Sequence, residues 1–207
     1  MKRRSKWLLA LFTALVLIGG YISYVRVSSN DDSSPTAIAA IEKQHGSGFI
    51  SYLIHEHPVR DGEVAFFNRE INDGQIVIGF EYIRKTSRGW KSGYGGAFGA
   101  SNYRLGLTDG EARQEDFHAI HVPSTEGSEF GSSPFPMIYG VALHPDITRI
   151  TVEDKKTGLE RQAQMIEVER NFKLFYVFVD ESQGEKFDIT GYAADGSVVH
   201  EENEQGN

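Results

Sequence analysis

No cysteine occurs among the 207 residues of this chain, and that absence removes several chemistries at once. Disulfides, thiol nucleophiles, thiolate metal sites and a lipidated cysteine are all excluded. A domain that this chain forms outside the cytoplasm is therefore held by its hydrophobic core. Nucleophile and metalloprotease signatures are missing too, with no G-x-S-x-G elbow, no S-x-x-K pair and no H-E-x-x-H. A basic surplus is also lacking. Lysine and arginine number 21 against 29 aspartates and glutamates, for a formal charge of −8. Five of those basic residues are Lys2, Arg3, Arg4, Lys6 and Arg26, whereas all 29 acidic residues lie beyond position 30. A region this acidic is a poor partner for nucleic acid or anionic headgroups, which need a basic footprint.

What the chain does have is one long apolar run. Trp7–Val25 is nineteen residues without a charge, enough for a helix of roughly 28 Å, close to the hydrocarbon thickness of a bilayer. The basic head at residues 1–6 precedes it, so the run reads as a signal-anchor at 7–25 with the head in the cytoplasm and the C-terminal region outside. Trp7, Tyr21 and Tyr24 suit the two interfaces. The rival reading is a cleaved signal peptide. Such apolar regions usually run about 7–15 residues and end in small residues. Here the nearest small-residue site is Val27-Ser28-Ser29, beyond Arg26.

Residues 26–34 read as a polar linker. Ser34 and Pro35 then suit the N-cap and first position of a short helix over 35–45, which Gly46 can stop. From residue 49 the apolar period changes to two. Ile50, Tyr52 and Ile54 are expected on one strand face, and Ile76, Ile78, Phe80 and Tyr82 on another. Asn72-Asp73-Gly74 is a hairpin signal. Residues 35–100 thus read as a helix followed by a four-stranded antiparallel meander. Residues 101–136 are dominated by charged and small residues around one apolar patch, Phe117–Val122. A stretch of that length is expected to be a functional loop or a connector. Strands resume at Met137–Leu143, Ile147–Glu153, Leu159–Val168, Phe172–Val179, Lys186–Tyr192 and Ser197–Glu201. Phe172–Val179 is apolar on both faces, as a central strand between two layers is. Residues 137–201 read as a β-sandwich-like module and 202–207 as a disordered tail, so the fold class is α+β.

Candidate chemistry is sparse. His55-Glu56-His57 places two imidazoles on one strand face. His118 and His121 lie in the apolar patch, and His144 follows a strand. Three such ligands could converge on zinc, but spacing alone is weak, and the simpler reading is surface and turn histidines. The segment Gly93-Tyr94-Gly95-Gly96-Ala97-Phe98-Gly99 fails as a dinucleotide loop, because Phe98 occupies the last glycine position and no Walker lysine follows. Trp90 and Tyr94 could stack on a sugar or dock a partner if exposed; otherwise Trp90 covers the core. Carboxylates are plentiful, but nothing singles out a catalytic pair. The sequence therefore assigns no catalytic, cofactor-binding or metal-ligating residue, and no cofactor.

Lys85-Thr86-Ser87-Arg88-Gly89-Trp90-Lys91, with Gly93-Tyr94-Gly95-Gly96 behind it, resembles a pattern of small membrane-anchored extracytoplasmic proteins of Bacillus-like Gram-positive bacteria. Ile138-Tyr139-Gly140, Ile147-Thr148-Arg149-Ile150, Gly191-Tyr192 and Asp195-Gly196 look like the β-rich second half of that group. The resemblance covers about two thirds of the chain. It implies location and architecture and brings no mechanism. The functional expectation is a non-enzymatic binding or accessory protein of the cell envelope, held in the membrane by its N-terminal helix, with an envelope protein or cell-wall glycan as partner. The alternative is an envelope hydrolase or metal-dependent enzyme using carboxylates or a histidine cluster.

Overall fold

The computed structural model describes residues 32–71, 75–100, 117–128, 130–131, 134–168, 172–180 and 182–203. The expected membrane span, the Val27-Ser28-Ser29 site and the Asn72-Asp73-Gly74 turn lie outside these residues. Among the described residues, no helix is long and apolar enough to cross a membrane.

Among the described residues the fold is mostly antiparallel strand with one helix, α1 (Ala37–His45). Its N-cap is Thr36, whose hydroxyl accepts from the Ala39 N–H at 3.1 Å, and not the expected Ser34. Ser34 is committed elsewhere: its N–H and carbonyl pair with the carbonyl and N–H of Trp90, both at 2.8 Å. The helix entry therefore shifts two residues past the expected cap. Gly46, at φ 108°, ends α1 as its composition suggests, donating its N–H to the Glu42 carbonyl. Nine residues are too few for a helix to persist unaided. Packing holds it: Ala37, Ala40 and Ile41 cover Ala65, Phe67 and Ile83 of the sheet below. Its last turn is pinned by His45, whose Nε2 lies 2.9 Å from the buried Glu81 carboxylate. The Ser92 hydroxyl donates to the same carboxylate.

That first sheet is a meander of β1 (Tyr52–Val59), β2 (Gly62–Ile71), β3 (Gln75–Thr86) and β4 (Gly89–Ala100), paired in chain order. The middle sheet has the order β5 (Phe117–Val122), β6 (Met137–Ala142), β10 (Phe172–Phe178), β9 (Gln164–Val168). The third has β12 (Val198–Asn203), β11 (Phe187–Tyr192), β7 (Arg149–Asp154), β8 (Glu160–Gln162). Two cores separate them. Phe66, Ile78 and Phe80 of the first sheet meet Tyr139, Leu174 and Tyr176 of the middle one. On the other side of the middle sheet, Ile138, Phe175 and Val177 meet Ile150, Val152, Phe187 and Ile189. Alternate residues of β10 thus serve two layers, as its two-sided apolar sequence predicts.

Strand boundaries differ from expectation in three places. Phe117–Val122 is an edge strand of the middle sheet rather than part of an unstructured connector, because its apolar alternation matches β6 in register. The single strand expected over Leu159–Val168 breaks at buried Ala163, so that β8 pairs with β7 and β9 with β10. The tail expected from residue 202 instead begins inside β12, whose Glu202 and Asn203 pair with Ile189 and Asp188.

Bulges alter which residues share a face. Register shifts between Leu53 and His55, so Leu53 and Ile50 lie under α1 while Ile54 packs on the core facing the middle sheet. Tyr52 stays exposed. Ile50, Tyr52 and Ile54 therefore do not form one face, since an extra residue inverts the alternation. The four residues Ile76, Ile78, Phe80 and Tyr82 do share one, all packed toward the middle sheet.

Candidate functional site

Two histidines converge, on a residue that their spacing does not reveal. The β1 bulge leaves His55 and His57 facing the middle sheet, where the buried Tyr176 of β10 lies between them. His55 Nε2 and His57 Nδ1 are each 3.0 Å from the Tyr176 hydroxyl oxygen. That hydroxyl donates in turn to Gln164 Oε1, directly opposite it on β9. A phenol has one proton to give, so both imidazoles donate N–H to its oxygen. His55 is therefore the Nε2–H tautomer and His57 the Nδ1–H tautomer.

Electrostatics follow from this half-buried setting. Burial pushes the His55 pKa below its usual value, partly opposed by the Glu56 carboxylate. Burial lowers His57 as well, and neighbouring His55 adds to the effect. Both rings are thus held in the neutral form that hydrogen-bonds or ligates. Burial pushes the Tyr176 phenol up to about 12. Phe66 stacks on Tyr176 with centroids 4.5 Å apart, fixing the ring from the far side.

The other candidate histidines are dispersed. His118 lies against Phe98 with ring centroids 4.8 Å apart, and His121 lies against Phe187 at 5.3 Å, on the opposite face of β5. His144 sits in the turn after β6, where its Nδ1 accepts from the Asp146 N–H. Residues three apart on a strand point in opposite directions, so His118 and His121 cannot meet. Among the described residues, no group of three His, Cys, Asp or Glu side chains is placed to hold a metal ion.

Trp90 and Tyr94 do not form one recognition face either. Trp90 is half-buried in the α1 layer, with Lys85 Nζ 5.3 Å from its ring centroid. A register shift opposite Glu81–Ile83 then inverts β4. Tyr94 consequently faces the core, among Phe80, Phe130 and Phe135.

One carboxylate pair is assembled, which the sequence did not single out. Glu56 and Glu63 are neighbours on the paired strands β1 and β2. Burial and the Glu56 charge raise the Glu63 pKa, with Lys85 opposing.

Beside Gln164 the surface opens into a cleft of about 390 Å³ lined by Thr148, Gln162, Ala163, Gln164, Met165 and Ile166. It lies where the chain passes from the third sheet to the middle one. Gln164 and Ile166 face the first sheet and Met165 the third, so the cleft follows the free edge of β9 and combines amide groups with apolar lining from both faces. No family of proteins, curated protein or solved structure matches this chain.

Proposed function

We propose that this chain is a membrane-tethered protein whose β-rich region works outside the cytoplasm as a non-enzymatic binding or accessory component of the cell envelope. The uncharged Trp7–Val25 run behind a basic head supports the tether. The helix-plus-meander half and the sandwich-like half then act as one outward-facing unit. The observation that carries the binding reading is the cleft along Gln162–Ile166. Its two carboxamides offer both donors and acceptors beside apolar side chains, which is the lining that suits an uncharged, hydroxyl-rich ligand. Cell-wall glycan is the partner of that chemistry.

Co-sedimentation of the detergent-solubilised full chain with purified cell-wall sacculi tests this. The unmodified chain is expected in the pellet. Gln162 is exposed, so Gln162→Ala should leave the fold intact while weakening retention roughly 10-fold, the value of one or two hydrogen bonds. Equal retention of both proteins, or none of either, would overturn the reading. Release of soluble sugar during the incubation would instead favour the hydrolase alternative.

A further inference from the structure

The seam between the first and middle sheets brings two imidazole nitrogens to one phenol oxygen. We propose that His55 Nε2, His57 Nδ1 and Tyr176 Oη bind one divalent transition metal of tetragonal preference, copper(II) or nickel(II). The argument starts from spacing. Each nitrogen lies 3.0 Å from the tyrosine oxygen. Metal–nitrogen and metal–oxygen bonds run about 2.0–2.1 Å, so each nitrogen–oxygen pair at that separation subtends roughly 95° at a shared metal. Ninety-degree angles belong to square-planar and tetragonal centres, whereas tetrahedral zinc needs its donors spread further apart. Nitrogen and oxygen donors without sulfur point the same way.

The surroundings supply the rest of a site. β1 is the outer strand of its sheet, and both imidazoles are half-buried, so an ion can enter from solvent. The flanking bulge fixes the direction of His55. Gln164 accepts from the Tyr176 hydroxyl in the metal-free protein, and on metal binding its carboxamide turns its NH2 group to the phenolate oxygen, the outer partner that orients it. On binding, each imidazole shifts its proton to the ring nitrogen that faces away, freeing the lone pair at His55 Nε2 and His57 Nδ1. Tyr176 binds as phenolate and releases its proton to solvent. The two imidazoles and the phenolate leave at least one position for water or a small ligand. This site shares Gln164 with the cleft but does not depend on glycan binding there.

Titration of the metal-free full chain in detergent with copper(II), in a non-chelating buffer, tests the proposal. One copper per chain is expected, with a tetragonal paramagnetic resonance spectrum coupled to two imidazole nitrogens and a visible phenolate-to-copper absorption. Tyr176→Phe should keep the nitrogen couplings and lose the absorption. The double variant His55→Gln/His57→Gln should bind more than about 100-fold more weakly, beyond the usual cost of an outer-sphere change, while His144→Gln should bind normally. Because the spectrum is recorded on the unmodified chain, misfolding of a variant cannot rescue the idea. Absence of stoichiometric copper, a spectrum without two nitrogen couplings, or undiminished affinity in the double variant would overturn it. Retention on sacculi and its loss in Gln162→Ala would be unaffected by that failure.

Discussion

Asp154→Asn is expected to lower stability by about 2–4 kcal/mol, the scale for breaking several charge-assisted hydrogen bonds in a buried setting. Asp154 ends β7 with no exposed surface. One carboxylate oxygen accepts from the N–H groups of Lys156 and Gly184, and the other accepts from the Thr157 N–H and hydroxyl. The residue thus closes the β7–β8 hairpin and ties it to the loop that leads into β11. Asparagine fits the space but replaces one acceptor oxygen with an NH2 group. Whichever way it turns, that group meets a backbone N–H. For a chain of this size the loss corresponds to a fall in Tm of roughly 5–15 °C.

The same residue predicts a pH dependence. Burial opposes ionisation of Asp154, but the Thr157 hydroxyl and the N–H groups of Gly184, Lys156 and Thr157 outweigh it and hold the pKa below the ordinary value. The folded state therefore binds this proton less readily than the unfolded chain. Its stabilisation is complete above the unfolded pKa near 3.9 and is lost as pH falls through the lower, folded pKa. Urea denaturation between about pH 2.5 and 6 should show a shallower acid decline for Asp154→Asn than for the unmodified chain. Parallel curves would contradict the assignment.

Phe175→Ala is expected to cost about 3–5 kcal/mol, the range for removing a fully buried phenyl ring. Phe175 has no exposed surface and belongs to the core between the middle and third sheets. Its neighbours on β10, Leu174 and Tyr176, belong to the other core, so damage on one side of the strand is felt on both. Trp90, one of two tryptophans in the chain, reports from the first sheet. Its fluorescence transition in urea should move together with far-ultraviolet circular dichroism, to the same lower midpoint. A fluorescence midpoint unchanged by the substitution would show that the first sheet unfolds independently.

Legibility in the sequence followed locality. Ile76, Ile78, Phe80 and Tyr82 announced a one-sided strand because alternation needs no partner to be recognised. Phe172–Val179 revealed a strand covered on both faces for the same reason. Features set by distant pairing were hidden. Ser34 is a good cap residue by type, yet its backbone pairing with Trp90 moved the cap to Thr36. Bulges on β1 and β4 inverted faces that a strict period of two had assigned, which separated Trp90 from Tyr94. In the candidate site, the two-residue spacing of His55 and His57 was readable. Tyr176 was not, since it follows them by 121 and 119 positions and reads locally as one more core aromatic of β10.

An outward-facing β-rich region on a membrane anchor, as proposed, is directly measurable because the sequence contains no cysteine. Glu201, exposed on β12, and Ser5, in the basic head, can each be replaced by the chain's one cysteine. Intact cells are then treated with a membrane-impermeant maleimide. The Glu201→Cys chain is expected to be labelled in intact cells and recovered with the membranes, and the Ser5→Cys chain to be labelled only after permeabilisation. Labelling of Ser5→Cys in intact cells with protection of Glu201→Cys would contradict it.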